Sequence, residues 1–187
     1  FVWMGEILFR TKLSENLFKG LSPWMQKLPG GLIHVNVVGC ALFAAISGSS
    51  AATVATVGKM SIPELRKRNY PEKILLGSLA GSGTLGLLIP PSIILIIYGV
   101  AVQESIAKLF IAGIIPGIMI ALIFMSYVII WSLINKKSMP KIIEEYSFFE
   151  KIKRSKQLLP VIILILAVIG SISVSYTHLR AHETYKD

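Results

Sequence analysis

The stretch Ala44-Ala45-Ile46-Ser47-Gly48-Ser49-Ser50-Ala51-Ala52-Thr53 places three serines and a glycine in the middle of an apolar segment. The segment runs from Leu28 to Gly58 and contains no Asp, Glu, Lys or Arg. As one straight helix, its 31 residues would measure roughly 46 Å at about 1.5 Å per residue, whereas the hydrocarbon core of a bilayer is about 30 Å thick. We therefore predict that the chain turns back at Ser47-Gly48-Ser49-Ser50 and forms a re-entrant helical hairpin over residues 32–58.

Basic residues flank this segment on both sides. Those before it are Arg10, Lys12, Lys19 and Lys27, and those after it are Lys59, Arg66, Lys67, Arg68 and Lys73. Lys and Arg are enriched in the cytoplasmic loops of membrane proteins. A single crossing would place one of the two clusters outside, whereas a hairpin keeps both in the cytoplasm.

The composition of the whole chain also indicates a membrane protein. Of its 187 residues, 53% are hydrophobic and 16% are charged, and the mean hydropathy is +0.68. Three further segments without charge, Ile74–Gln103, Leu109–Asn135 and Gln157–Leu179, reach the length of about 20 residues that a membrane helix needs. The chain has a net charge of +9, and its basic residues flank the apolar segments. This distribution is typical of cytoplasmic loops and not of a nucleic-acid-binding face.

A second interruption lies within the next apolar segment. Its middle reads Gly81-Ser82-Gly83-Thr84-Leu85-Gly86-Leu87-Leu88-Ile89-Pro90-Pro91-Ser92. Two consecutive prolines remove two backbone donors, and the glycines before them favour non-helical backbone. We predict a broken helix over residues 74–102, with half-helices from about Ile74 to Gly83 and from about Pro91 to Val102 and an unwound stretch between them.

These segments together predict an all-α polytopic membrane protein whose transport-domain core covers residues 31–135. Besides the hairpin and the broken helix, the predicted elements are the end of a truncated membrane helix at 1–9, an amphipathic helix at 10–30, a transmembrane helix at 106–135, a basic cytoplasmic loop at 136–156 and a truncated membrane helix at 157–173. The amphipathic helix has two interpretations. It either lies in the membrane interface with Trp24 at headgroup depth, or connects other elements while packed on protein.

Two broken helical elements in sequence indicate the binding site of a secondary transporter. Opened helix ends offer carbonyl and hydroxyl oxygens to a cation and N–H groups to an anion. The candidate ion- and substrate-binding residues are Ser47, Gly48, Ser49, Ser50, Thr84, Gly86, Pro90, Pro91 and Ser92, and the candidate sodium ligands among them are Ser47, Ser49, Ser50 and Ser92. Small residues can also serve close helix packing, and Gly77-x-x-x-Gly81 fits that use.

The sequence does not favour an enzymatic function. The sequence Ala80-Gly81-Ser82-Gly83 lacks the glycine two positions before the serine that a hydrolase nucleophile motif requires, and no second histidine within the spans is placed to serve as the base. The spans contain no paired His, Cys or carboxylate ligands for a catalytic metal. We expect His34 and Asn36 to be hydrogen-bonded structural groups, and we expect no enzymatic activity.

Three motifs resemble one known family in order and spacing. Pro29-Gly30-Gly31-Leu32-Ile33-His34-Val35-Asn36, then Ala44–Thr53, then Gly86-Leu87-Leu88-Ile89-Pro90-Pro91-Ser92 closely resemble the large membrane subunit of TRAP (tripartite ATP-independent periplasmic) transporters. The resemblance extends from about Met4 to about Lys136. It implies an elevator-type, inverted-repeat permease in the bacterial inner membrane, of which this chain holds the first half only. It also implies that Ser47–Ser50 opposes the break at Gly86–Ser92.

The same resemblance implies sodium-coupled import of a carboxylate solute, such as a C4-dicarboxylate or sialic acid. The implied partners are a small membrane subunit, a periplasmic solute-binding protein and the lipid bilayer, with no nucleic acid and no cofactor besides the coupling sodium. Two alternatives remain open: another ion-coupled elevator carrier of organic anions, and a membrane scaffold that does not transport. Because half of the site is missing, we expect the fragment alone not to transport.

The C-terminal segment departs from the family. Ser173-Val174-Ser175-Tyr176-Thr177-His178-Leu179-Arg180-Ala181-His182-Glu183-Thr184 looks like translated adapter sequence. We therefore expect residues 174–187 to be a non-native tail that cuts the last membrane helix short.

Overall fold

A computed structural model of the chain describes residues 13–140, 148–167 and 170. Its α-helices are α1 (Leu13–Met25), α2 (His34–Ser47), α3 (Ser50–Lys67), α4 (Glu72–Gly83), α5 (Leu85–Leu88), α6 (Ile93–Val102), α7 (Ile106–Ile134) and α8 (Phe148–Ser155). Short 3-10 turns cover Gly31–Ile33, Lys136–Ser138 and Lys156–Leu158, and residues 159–167 are helical. The described residues contain no β-strand, so the predicted all-α class is confirmed for that part of the chain.

The turn predicted at Ser47–Ser50 is present. Helix α2 ends at Ser47, and Gly48 takes the left-handed conformation, with φ 58° and ψ 14°, that glycine adopts at helix C-termini. Ser49 is extended and caps α3, because its side chain accepts a hydrogen bond from the Ala52 N–H at 3.5 Å. The second arm of the hairpin extends beyond residue 58, where the predicted hairpin ends, since α3 continues to Lys67.

The two ends of the hairpin meet. The backbone N–H of Leu32, just before α2, donates a hydrogen bond to the Tyr70 hydroxyl at 3.1 Å, and Tyr70 follows α3 in the chain. Burial raises the pKa of Tyr70, so its hydroxyl stays neutral at physiological pH. The chain therefore leaves the hairpin at the end where it came in. Lys27, shortly before Leu32, and Arg66, Lys67 and Arg68, shortly before Tyr70, lie near that end.

The hairpin lies at the centre of the hydrophobic core. The buried side chains of this core are Leu17, Phe18, Leu21, Leu32, Val35, Cys40, Phe43, Ile46, Val57, Met60, Leu65, Leu75, Leu79 and Val161. Three of them belong to α1, whose apolar face is thus packed on protein, as the second interpretation of the amphipathic helix requires. Trp24 stays 43% exposed, and its indole N–H donates to the Ser155 hydroxyl at 2.8 Å.

The broken helix is less unwound than predicted. After a distortion at Thr84, helical geometry resumes in α5, and the Ile89 N–H still donates to the Leu85 carbonyl at 2.8 Å. Non-helical backbone is confined to residues 89–92, and the second half-helix begins at Ile93 and not at Pro91. The prediction of a longer unwound stretch was wrong because a helix tolerates single glycines, whereas the prolines lack the N–H that the next turn needs.

Two continuous apolar stretches are long enough to cross a membrane, Glu72–Val102 with 31 residues and Ile106–Ile134 with 29. The apolar helix Gly31–Ser47 is shorter than either. Helix α7 exposes apolar side chains along its length, including Ile111, Ile115, Ile118, Met119, Leu122, Ile123, Ile130 and Ile134. Such a surface fits a lipid environment.

Five sequence predictions fall partly or wholly outside the described residues. The truncated helix at 1–9 and the tail at 174–187 lie wholly outside them. The amphipathic helix at 10–30 is described from residue 13, the loop at 136–156 except for residues 141–147, and the helix predicted at 157–173 only through residue 167 and at residue 170.

The hydrogen bond at the hairpin base predicts the effect of Tyr70→Phe. The substitution leaves the Leu32 N–H without its acceptor, which destabilises a protein by about 1 kcal/mol. We expect a lower unfolding temperature for the purified full-length gene product in detergent. Tyr98→Phe is the matched control, because Tyr98 is 54% exposed; equal unfolding temperatures for the two variants would contradict the role given to Tyr70.

Candidate ion and substrate site

The tip of the hairpin touches the break directly through backbone atoms. A Cβ placed on Gly86 would lie 2.9 Å from the Ser50 nitrogen and 3.0 Å from the Ser49 carbonyl carbon. A Cβ placed on Gly48 would lie 2.6 Å from the Pro91 carbonyl oxygen. Only glycine allows the two segments to approach this closely. The structure thus brings together the two segments that the sequence analysis placed in one site.

Four helix ends converge at this contact. Helices α2 and α5 end beside it, α3 and α6 begin beside it with their N–H groups, and the Pro91 carbonyl oxygen faces the tip. The Ile93 nitrogen lies 3.7 Å from the Cβ position of Gly48, so the start of α6 is close to the tip. Helix C-termini carry partial negative charge and N-termini partial positive charge. The arrangement offers oxygen ligands to a cation and N–H donors to an anion without a charged side chain.

Ser47 stabilises the turn at the hairpin tip through buried hydrogen bonds. Its side chain is fully buried, and its Oγ lies 2.8 Å from the Thr53 Oγ1 and 3.3 Å from the Ser49 carbonyl oxygen. These hydrogen bonds join the end of α2 to the first turns of α3. Thr53 was not among the predicted site residues, because only the tight turn at Gly48 brings it close to Ser47.

Ser92 performs a similar role at the break. It is fully buried, and its Oγ donates to the Leu87 carbonyl oxygen at 2.6 Å. This hydrogen bond spans the non-helical residues and joins the start of α6 to the end of α5. The hydroxyls of Ser47, Ser49 and Ser92 therefore already have partners within the protein.

Ser50 differs from the other predicted hydroxyl ligands. Among the hydroxyls of Ser47, Ser49, Ser50, Thr84 and Ser92, all within the described residues, only the Ser50 Oγ is buried without a hydrogen-bond partner. A buried polar atom without a partner is costly unless something binds it. Because Ser50 begins α3 at the contact with Gly86, its oxygen is the best placed of these five for an ion or a solute.

The structure does not bring the Thr84 hydroxyl into this group. Thr84 is exposed, and its Oγ1 donates to the Gly81 carbonyl oxygen at 2.7 Å, in the last turn of α4. Pro91 is buried and contributes its carbonyl oxygen at the tip, whereas Pro90 is half-buried. The peptide bond between the two prolines is cis.

His34 and Asn36 are hydrogen-bonded, as predicted. The His34 Nε2 lies 2.7 Å from the Pro29 carbonyl oxygen. The Asn36 side-chain amide donates to the Leu75 carbonyl at 3.2 Å and to the Ser78 hydroxyl at 3.0 Å, which ties α2 to α4. Within residues 13–140, 148–167 and 170, no group of three or more His, Cys, Asp or Glu side chains is placed to hold a metal ion.

The contact between tip and break predicts that Gly86→Ala destabilises the protein. The added methyl group would meet backbone atoms of Ser49 and Ser50, which cannot move aside as a flexible side chain can, and such overpacking costs about 1–3 kcal/mol. We expect a lower unfolding temperature in detergent. The matched control is Gly77→Ala, because a Cβ on Gly77 meets no atom within 4 Å. Equal stability of the two variants would show that the contact is absent.

The sequence matches one protein family over almost its entire length. The family is described as the tripartite ATP-independent periplasmic transporter, DctM component, and the match covers residues 1–182. It extends past Lys136, where the resemblance was expected to end. It also includes part of the segment 174–187, whose non-native origin stays a prediction.

Several curated relatives carry related names. The chain is 35% identical over 173 residues to the C4-dicarboxylate TRAP transporter large permease protein of Pseudomonas aeruginosa, with 92% of this chain and 40% of the relative covered. It is 39% identical over 127 residues to the isethionate TRAP transporter permease protein of Oleidesulfovibrio alaskensis, with 68% and 20% covered. It is 36% identical over 135 residues to the ectoine/5-hydroxyectoine TRAP transporter large permease protein of Ruegeria pomeroyi, with 72% and 32% covered.

The chain spans two fifths or less of the length of these relatives. The family match covers far more than half of the chain, and the described residues include two helical stretches long and apolar enough to cross a membrane. The chain belongs to the large permease family of TRAP transporters, which are membrane transport proteins.

Proposed function

We propose that this chain forms the first half of the large permease subunit of a sodium-coupled TRAP transporter in the bacterial inner membrane. The transporter imports an organic acid that a periplasmic solute-binding protein delivers, and a small membrane subunit supports the permease. The observation that carries the proposal is the convergence of four helix ends at the tip of the hairpin. Broken helices of this kind bind ions and solutes in secondary transporters.

In this proposal the hairpin is re-entrant. The contact between Leu32 and Tyr70 supports it, because the chain enters and leaves the hairpin at one end and the tip lies at the other. The tip would then reach the middle of the membrane, where non-helical backbone is tolerated only if it is buried or lines a hydrated cavity. The basic flanks would face the cytoplasm.

The proposed coupling ion is sodium. Hard cations prefer oxygen ligands, and this site offers the Ser50 hydroxyl together with backbone carbonyls near Pro91. The sequence also predicted the hydroxyls of Ser47, Ser49 and Ser92 as ligands. In the structure these hydroxyls form hydrogen bonds that stabilise the turn at the hairpin tip and the break. The second half of a full-length permease would complete the site, so the fragment alone is not expected to transport.

The proposed solute carries an anionic group. The N-termini of α3 and α6 favour negative charge near the tip, and no acidic side chain occurs between Leu28 and Gly58 or between Ile74 and Gln103 to oppose it. The solutes in the relatives' names differ, although their identities to this chain are all between 35% and 39%. Overall identity therefore does not select among the candidate solutes, and we propose only the class of organic acids.

The substitution Ser50→Ala tests whether Ser50 binds the ion or only stabilises the fold. We expect the sodium concentration for half-maximal uptake to rise about tenfold, because a hydrogen-bonding group that meets a charge contributes about 1.5–3 kcal/mol. The unfolding temperature should not fall, since the Ser50 Oγ has no hydrogen bond in the protein to lose. Uptake is measured in proteoliposomes with the full-length gene product, its small subunit and its binding protein.

Ser126→Ala is the matched control for that measurement. Ser126 is exposed on α7, and its Oγ donates to the Leu122 carbonyl at 2.8 Å, far along the chain from the site. Wild-type uptake that is equal in sodium and potassium would contradict sodium coupling. If Ser50→Ala had the same sodium dependence as the wild-type protein, Ser50 would not be an ion ligand. If the complete system showed no uptake at all, the result would favour the alternative of a membrane scaffold that does not transport.

A further inference from the structure

Helix α7 runs antiparallel to the broken helix and contacts it on both sides of the break. A Cβ on Gly99 of α6 would lie 3.0 Å from the Leu109 Cδ1 of α7. At the other end, a Cβ on Gly81 of α4 would lie 3.2 Å from the Phe124 Cε1. The residues of α7 between these two contacts therefore lie beside the non-helical stretch.

Two glycines of α7 form the surface that receives this stretch. A Cβ on Gly113 would lie 3.0 Å from the Leu88 carbonyl oxygen and 3.6 Å from the Pro90 Cγ. A Cβ on Gly117 would lie 2.9 Å from the Ile89 Cγ1. Gly113 and Gly117 are four residues apart and so lie on the same face of α7, one turn from each other.

The break is thus held between two surfaces. On one side the Pro91 carbonyl oxygen meets Gly48 of the hairpin tip, and on the other side Leu88 and Ile89 meet the glycines of α7. The prolines explain why the helix opens, but they do not determine how far the opened backbone lies from the tip. That distance depends on how deeply the break sits on α7.

We propose that Gly113 and Gly117 are positioning residues, which set the distance between the break and the hairpin tip and thereby the affinity of the site for sodium. This inference rests on the proposed function. A methyl group at either position would push the break away from α7, towards the tip. The backbone oxygens that face the ion would then shift, although neither glycine contacts the ion.

The glycine pair that the sequence analysis named as a packing motif does not share this role. A Cβ on Gly77 meets no atom within 4 Å, so of that pair only Gly81 is closely packed. Gly77→Ala is therefore a matched control for substitutions in α7, because it makes the same chemical change in an apolar helix without a clash.

The test is a pair of substitutions with a built-in rescue. Gly117→Ala is expected to raise the sodium concentration for half-maximal uptake at least about fivefold, because the overpacked break shifts the backbone oxygens that face the ion. The added methyl group would meet the Ile89 side chain, so Ile89→Ala in the same protein makes room for it and restores most of the sodium affinity. Gly77→Ala leaves the sodium dependence unchanged.

Gly113→Ala provides the contrast. Its obstacle is the Leu88 carbonyl oxygen, a backbone atom, so Ile89→Ala should not rescue it. Equal sodium dependence for Gly77→Ala, Gly113→Ala and Gly117→Ala would overturn the proposal. It would also be overturned if Ile89→Ala failed to improve Gly117→Ala, because a general folding defect would not respond to one truncated side chain.

Backbone hydrogen exchange of the amides of residues 86–89 and Ser92 in detergent gives a readout that does not need transport, since Pro90 and Pro91 have no N–H. Gly117→Ala should accelerate exchange in this segment, and Ile89→Ala should restore protection. If the wild-type protein showed no sodium-driven uptake, the proposed function would fail while the exchange data still tested the positioning role. Unchanged exchange in Gly117→Ala would contradict that role directly.

Discussion

The contact between the hairpin tip and the break is made by backbone, and the rest of the structure depends on it. Gly48 meets the Pro91 carbonyl, and Gly86 meets the backbone of Ser49 and Ser50. Because no Cβ separates the two segments, the partial charges of four helix ends lie within one small volume. A site built this way gains its polarity without burying a charged side chain, which would be expensive at membrane depth.

Three other interactions hold the two segments in place. Tyr70 closes the base of the hairpin through the Leu32 N–H. Asn36, in the first turn of α2, joins this helix to α4 through the Leu75 carbonyl and the Ser78 hydroxyl. Helix α7 supports the broken helix from the opposite side. Each of these contacts satisfies or shields backbone groups that a membrane would leave unpaired, and together they fix where the tip and the break meet.

The sequence predicted the turn at Ser47–Ser50 because an apolar segment longer than a bilayer has to bend where small polar residues allow it. The break at the prolines was predictable for a similarly local reason, the loss of backbone donors. Which side chains face the site was not, since that depends on the rotation of each helix against its neighbours. Thr84 is directed elsewhere, Thr53 was missed, and the packing role of Gly117 requires knowledge of its neighbour Ile89.

The fold-back of the hairpin within the membrane is the central claim, and labelling from the two sides of the membrane tests it most directly. Single cysteines at Lys27, Arg66 and Glu104, three exposed positions, are reacted with a maleimide that cannot cross the membrane. We expect Lys27→Cys and Arg66→Cys to react only from the cytoplasmic side and Glu104→Cys only from the periplasmic side. Reaction of Lys27→Cys and Arg66→Cys from opposite sides would contradict the re-entrant hairpin.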